Sequence, residues 1–119
     1  MSVAVTALGP TLDDPVDDHF GRARYLLFVS DQGDLVEAVD NSANRTSMQG
    51  AGIGSAELVS QRGANVVITG HLGPKAFSAL SSAGIKGYSG SGMSVREAVA
   101  AFALGTLGTL DEAGPAHAG

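Results

Sequence analysis

Ala64-Asn65-Val66-Val67-Ile68-Thr69-Gly70-His71-Leu72-Gly73-Pro74 is the stretch on which the fold turns. Its first six residues are short, β-branched and apolar on both alternating faces, which is how a strand buried inside a parallel sheet reads. Pro74 lacks a backbone N–H and suits the first turn of a helix, where that donor has no partner anyway. A helix is therefore expected from Pro74, with Ala76, Phe77, Leu80 and Ala83 turned to the core and Gly84 ending it. Residues 70–74 become a strand-to-helix turn, the end of such a unit that faces ligands in open α/β sheets. The pattern then repeats: Ile85 to Tyr88 is a short strand and Ser89-Gly90-Ser91-Gly92 a turn. Ser94 with Glu97 three residues on is a capping box, opening a helix with Val95, Ala98, Val99, Phe102 and Ala103 inward.

Upstream, a helix starts at Ala51, with Ile53, Ala56, Val59 and Ser60 on one face, Leu58 near it and Gly63 as its stop. Tyr25 to Val29 and Leu35 to Val39, joined by the turn Asp31 to Asp34, read as a β-hairpin, and Val3 to Ala7 as an opening strand. The expectation is an α/β domain over residues 1–107: a mixed, roughly five-stranded sheet, antiparallel in its N-terminal part, with flanking helices. Right-handed crossovers place loops 70–74 and 89–93 at one strand-end edge. Residues 108–119 read as a flexible tail, with Leu107 and Leu110 as docking points and fraying from Asp111 onward.

Glycine accounts for 17 of the 119 residues and cysteine for none. Without cysteine there is no disulfide, zinc–thiolate site, cysteine nucleophile or cysteine-held iron–sulfur cluster. The net charge is −5, and residues 1–40 hold eight acids against two arginines. Nucleic-acid binding through charge is not expected. No signal peptide or membrane span is evident, so the cytoplasm is the expected location.

The candidate site residues cluster at the expected element junctions. His19, with Arg22 and Arg24 just after it, offers an imidazole for a soft or borderline metal and guanidiniums for an anion. The plainer reading is a turn anchored by Phe20, its arginines paired with Asp13 to Asp18. Those aspartates lack the alternation of a calcium loop, and Pro15 interrupts them, so they read as a solvated acidic turn. Gly50, Gly52 and Gly54 at a helix start resemble an anion cradle built from backbone N–H groups, with Arg45 in the donor-rich loop before it. No Gly-Lys-Ser/Thr follows, so it is not a P-loop. His71 and Gly73, and then Gly90 and Gly92, line the same edge. The three glycine-rich loops together predict one shallow anion-binding groove. Lys75 and Lys86 could contribute charge; His117 falls in the tail. No Gly-X-Ser-X-Gly elbow exists and no His, Ser and carboxylate set is fixed by spacing, so binding is expected rather than catalysis.

Several pieces in order resemble one family. They are the opening strand, Asp17-Asp18-His19-Phe20-Gly21-Arg22-Ala23, the Gly50 to Gly54 helix start, Val66 to Ala76 with its Gly70-His71-Leu72-Gly73-Pro74 turn, Ala83-Gly84-Ile85-Lys86, and Val95-Arg96-Glu97-Ala98. Over about residues 2–107 the chain resembles the dinitrogenase iron–molybdenum cofactor-binding family. The resemblance implies a ribonuclease-H-like fold and a non-enzymatic carrier of a preassembled metal–sulfur cluster. It implies His19, through the His-Phe-Gly match, as a cofactor-binding residue. A cysteine-free single domain is most similar to the branch of small orange-coloured proteins that carry a molybdenum–copper sulfide cluster without covalent attachment. An iron–molybdenum cluster is the secondary expectation. Such a cluster is anionic and brings its own sulfides. His19 and His71 are then the expected metal contacts, and the arginines and glycine loops the expected anion contacts. Two other readings stand beside this one. One is a partner-binding accessory protein in cofactor delivery or regulation, whose acidic turn touches the partner. The other is a metal-dependent hydrolase, which would need converging carboxylates that the strands do not carry.

Overall fold

A computed structural model describes residues 2–42 and 50–111. Its elements, in chain order, are β1 (Ser2–Ala7), β2 (Tyr25–Val29), β3 (Leu35–Asp40), α1 (Ala51–Gln61), β4 (Ala64–Thr69), α2 (Pro74–Ser82), β5 (Lys86–Ser89) and α3 (Val95–Ala103). The five strands form one sheet in the order β3-β2-β1-β4-β5. β1 pairs antiparallel with β2, and β2 with β3. β1 pairs parallel with β4, and β4 with β5. This is the mixed α/β sheet expected, with β4 inside its parallel half.

Alternation along the strands divides the core between the two sheet faces. Ala4, Leu26, Phe28 and Val67 point to the side covered by α1 and α2, where Phe20, Val59, Leu72 and Leu80 join them. Val3, Val5, Leu27, Val29, Val66 and Ile68 point to the other side, against Val95 and Ala98 of α3. Tyr88 of β5 meets Phe102 of α3 edge to face, with ring centres 5.0 Å apart. Ser94 caps α3 by accepting from the Glu97 N–H, and the Glu97 carboxylate accepts from the Ser94 N–H, as expected. The stops at Gly63 and Gly84 carry positive φ, 76° and 75°.

Three helix faces differ from expectation. In α1 the buried residues are Ala51, Ser55, Ala56 and Val59, while Ile53 is 40% exposed and Ser60 faces solvent. The helix is rotated because Ser55 is drawn inward by the buried Asn41 side chain. In α2, Ala83 is the exposed C-cap residue rather than part of the core face. In α3, Ala103 is exposed at the last turn, beyond the reach of the sheet. Past α3 the chain returns to the sheet: Ser89 N–H donates to Gly108 O, Leu110 N–H to Gly87 O, and Thr109 bridges Tyr88. Leu107 and Leu110 pack on opposite core clusters.

Candidate functional site

The parallel run of β1, β4 and β5 places the segments after all three strands at one edge of the sheet. β2 runs the other way, with Tyr25 opposite Ala7, so the loop before it arrives at the same edge. Residues 8–24, 70–74 and 90–93 therefore meet there, and α1 and α2 begin there.

Past the end of β1, residues 17–19 take its place beside the continuation of β4. The Asp17 N–H donates to Thr6 O at 2.9 Å. The Thr6 and Thr69 hydroxyls lie 2.8 Å apart, and both reach the Asp17 carbonyl oxygen, at 2.6 and 3.3 Å. One rung further on, His19 and His71 form a parallel bridge. Neighbouring strands lie about 4.8 Å apart, and side chains on paired rungs leave from the same face. The residues that follow the histidines, Phe20 and Leu72, both enter the core under α1 and α2. The bridge sets the two histidines on adjacent chain segments; His19 is exposed and His71 half-buried.

The His19 to Arg24 loop is tied at both ends and pressed from below. Asp17 accepts from the His19 N–H at 3.1 Å and from the Arg24 N–H at 3.3 Å. The buried Asn41 donates to the carbonyls of Ala23, at 3.0 Å, and Gly21, at 3.4 Å. A β-carbon on Gly21 would stand 2.6 Å from the Gly52 nitrogen and 2.8 Å from the Ala51 carbonyl carbon. One on Gly52 would stand 2.9 Å from Ala76 Cβ. Glycine is thus what lets the loop, the first turn of α1 and the first turn of α2 touch. The N-cap positions of both helices are themselves glycines, Gly50 and Gly73, which have no side chain with which to cap the first-turn N–H groups.

The structure thus brings His19, His71, Gly50, Gly52 and Gly73 to one edge, with Gly54 a half-turn further into α1. Arg22 and Arg24 are exposed on the loop, and Lys75 is exposed on the first turn of α2. Gly90 is buried, where a β-carbon would meet Ile68 and Ala98. Gly92 is exposed in its turn with φ 82°. Lys86 opens β5 and so lies at the far end of that strand from the loops. Arg45 and His117 lie outside the described residues. Among the described residues, no group of three His, Asp or Glu side chains is arranged to hold a metal ion. Two concavities lie away from this edge. One, of about 190 Å³, is between α2 and β5; the other, of about 290 Å³, is between α3 and the β2–β3 turn.

Asp17 corrects the reading of the acidic turn: it is only 7% exposed. The other aspartates there also have local roles. Asp13 pairs with Arg96 at 2.9 Å, Asp14 accepts from Thr11 N–H and Oγ1, and Asp18 packs on Gly70. The guanidinium of Arg96 holds the Asp13 carboxyl below its usual range. The sequence reading missed Asp17, Asn41, Thr6 and Thr69 as builders of the site. An aspartate two residues before a histidine is a local side-chain-to-backbone signal that points to the first of them. The others depend on pairing between distant segments.

The sequence and the fold match known proteins. The family model for "Dinitrogenase iron-molybdenum cofactor" matches residues 1–105. The orange protein of Desulfovibrio gigas, solved in its apo form, is 44% identical over 92% of each chain, with a TM-score of 0.87. A NifB-type protein from Thermotoga is 31% identical over 93% of this chain and 94% of its own, with a TM-score of 0.81. An uncharacterised protein of Methanocaldococcus jannaschii is 33% identical over 82% of this chain and 85% of its own. The chain belongs to the dinitrogenase iron–molybdenum cofactor family and groups with its orange-protein branch.

Proposed function

We propose that the chain is a non-catalytic carrier that holds an anionic metal–sulfur cluster at the loop edge, a molybdenum–copper sulfide first and an iron–molybdenum cluster second. Family membership supports the general role, and similarity to the orange protein supports the branch. The observation that carries the reading is the His19–His71 bridge, which sets two nitrogen donors on adjacent rungs at the edge where the family motif falls. Two imidazoles with no third His, Asp or Glu ligand grouped beside them among the described residues suit a soft metal whose remaining ligands are supplied by the cargo. A cluster already carrying its sulfides needs no protein thiolate, and this chain has no cysteine to offer. Arg22, Arg24 and Arg45 would donate to sulfide edges as cations. The glycine starts of α1 and α2, at Gly50, Gly52 and Gly73, and the turn at Gly92 would offer backbone N–H groups to the same negative charge, whereas the Gly54 and Gly90 N–H groups already donate to Gly50 O and Thr69 O. The protein partner would be whatever donates or receives the cluster.

Mixing the protein anaerobically with tetrathiomolybdate and copper(I), then desalting, tests this. Visible charge-transfer bands and co-eluting molybdenum and copper are expected. His19→Ala and His71→Ala should each lower retained copper severalfold while the fold persists. Metal-free protein after desalting, or full retention by the double variant, would sink the reading. Incubation with phosphodiesters and manganese should give no hydrolysis, against the hydrolase alternative.

A further inference from the structure

Asp17 is the one buried acidic residue among those described. Both of its carboxylate oxygens go to backbone N–H groups, those of His19 and Arg24. Those two residues bracket the loop that carries Phe20, Gly21 and Arg22. The backbone of Asp17 is held from the other direction, its N–H by β1 and its carbonyl by the hydroxyls of Thr6 and Thr69. Thr69 precedes His71 by two residues, as Asp17 precedes His19. The Asp17–Thr69 contact thus lies two residues before the His19–His71 bridge on both segments. A slip of one residue between the two segments would take His19 off His71.

We propose that Asp17 and Thr69 are positioning residues: Asp17 closes the His19–Arg24 loop with its carboxylate, and the two together set the register that places His19 beside His71. Neither touches the cluster. The inference deepens the carrier reading and rests on it for its functional arm. Its chemistry is specific. A carboxylate accepts at both oxygens, whereas an asparagine amide accepts at one and presents N–H to the other backbone N–H. Asp17→Asn therefore keeps one end of the loop and repels the other. Thr69→Val keeps the volume and removes the hydroxyl, and Thr69→Ser restores it.

The test has two readouts. In ¹H–¹⁵N spectra of the metal-free protein, Asp17→Asn should move the amide protons of His19 and Arg24 upfield while those of β2 and β4 stay in place. Retention of tetrathiomolybdate and copper(I) should fall by about 10- to 100-fold, the usual effect of losing an outer-shell partner of a metal ligand. Should Asp17→Asn not fold, Thr69→Val replaces it: weaker retention with an unchanged far-ultraviolet spectrum, recovered in Thr69→Ser. Unmoved His19 and Arg24 amides, or equal retention by wild type, Asp17→Asn and Thr69→Val, would overturn the proposal. A wild-type protein that retains no metal while the amide shifts appear would overturn the carrier reading alone and leave the loop closure standing.

Discussion

Gly21 is a position where the site depends on the lack of a side chain. Its would-be β-carbon meets backbone atoms of Ala51 and Gly52, which cannot swing aside as a flexible side chain would. Gly21→Ala must push the His19–Arg24 loop off α1. Overpacking of this kind costs about 1–3 kcal/mol, and urea unfolding of the variant should show a midpoint lowered to match. Phe20 and the His-Phe-Gly motif were legible as a local string, and so was the choice of His19 and His71 as candidates. Their pairing was not. It depends on residues far apart in sequence finding one ladder, and nothing local in either segment encodes the other. Asp17 was hidden for a different reason: among four aspartates, composition reads as a solvated turn, and only the extra contacts of residues 17–19 bury one of them.

At the level of elements, the strands and helix boundaries were largely readable, because short β-branched runs, Pro74, Ser94, Gly63 and Gly84 are local signals. Helix rotation was less so. Ile53 is the more apolar residue, yet Ser55 is the one buried, because Asn41 beneath α1 needs a polar neighbour. A hydrophobicity pattern assigns the two the other way round. The cap of α3 is local, and its energetics follow from its geometry. Ser94→Ala should lower stability by about 1 kcal/mol, measured by thermal and urea unfolding. The Ser94 backbone N–H, and then its hydroxyl, hold the Glu97 carboxyl below its ordinary value of 4.5. Because the folded-state value is the lower one, this contribution is complete at neutral pH and fades as pH falls through that lowered value. A pH series of melting temperatures should therefore decline on the acid side, and Glu97→Gln should flatten part of that decline.

Across the whole molecule, the β5 edge of the sheet is covered by the chain's own return. Residues 108–110 lie along β5, and Leu110 packs under it against the α1–α2 core. Leu110→Ala should cost about 1–2 kcal/mol, below the roughly 2–5 of a fully buried leucine because Leu110 is half-exposed. The loss should appear in the unfolding midpoint, together with greater self-association by light scattering as the β5 edge is uncovered. The sheet order also has a kinetic side. β2 and β3 join across a short turn, but β1 must wait for β4, and the Thr6–Thr69 contact spans 63 positions of chain. Loop-closure entropy makes such distant parallel pairing slow relative to a hairpin. The contacts that hold Asp17 and the bridge between His19 and His71 join the same distant segments and close equally late. A chain in which only the hairpin has formed therefore lacks the His19–His71 pair. Under the proposed function, the capacity to hold a cluster arrives with the last segments to close rather than with the first.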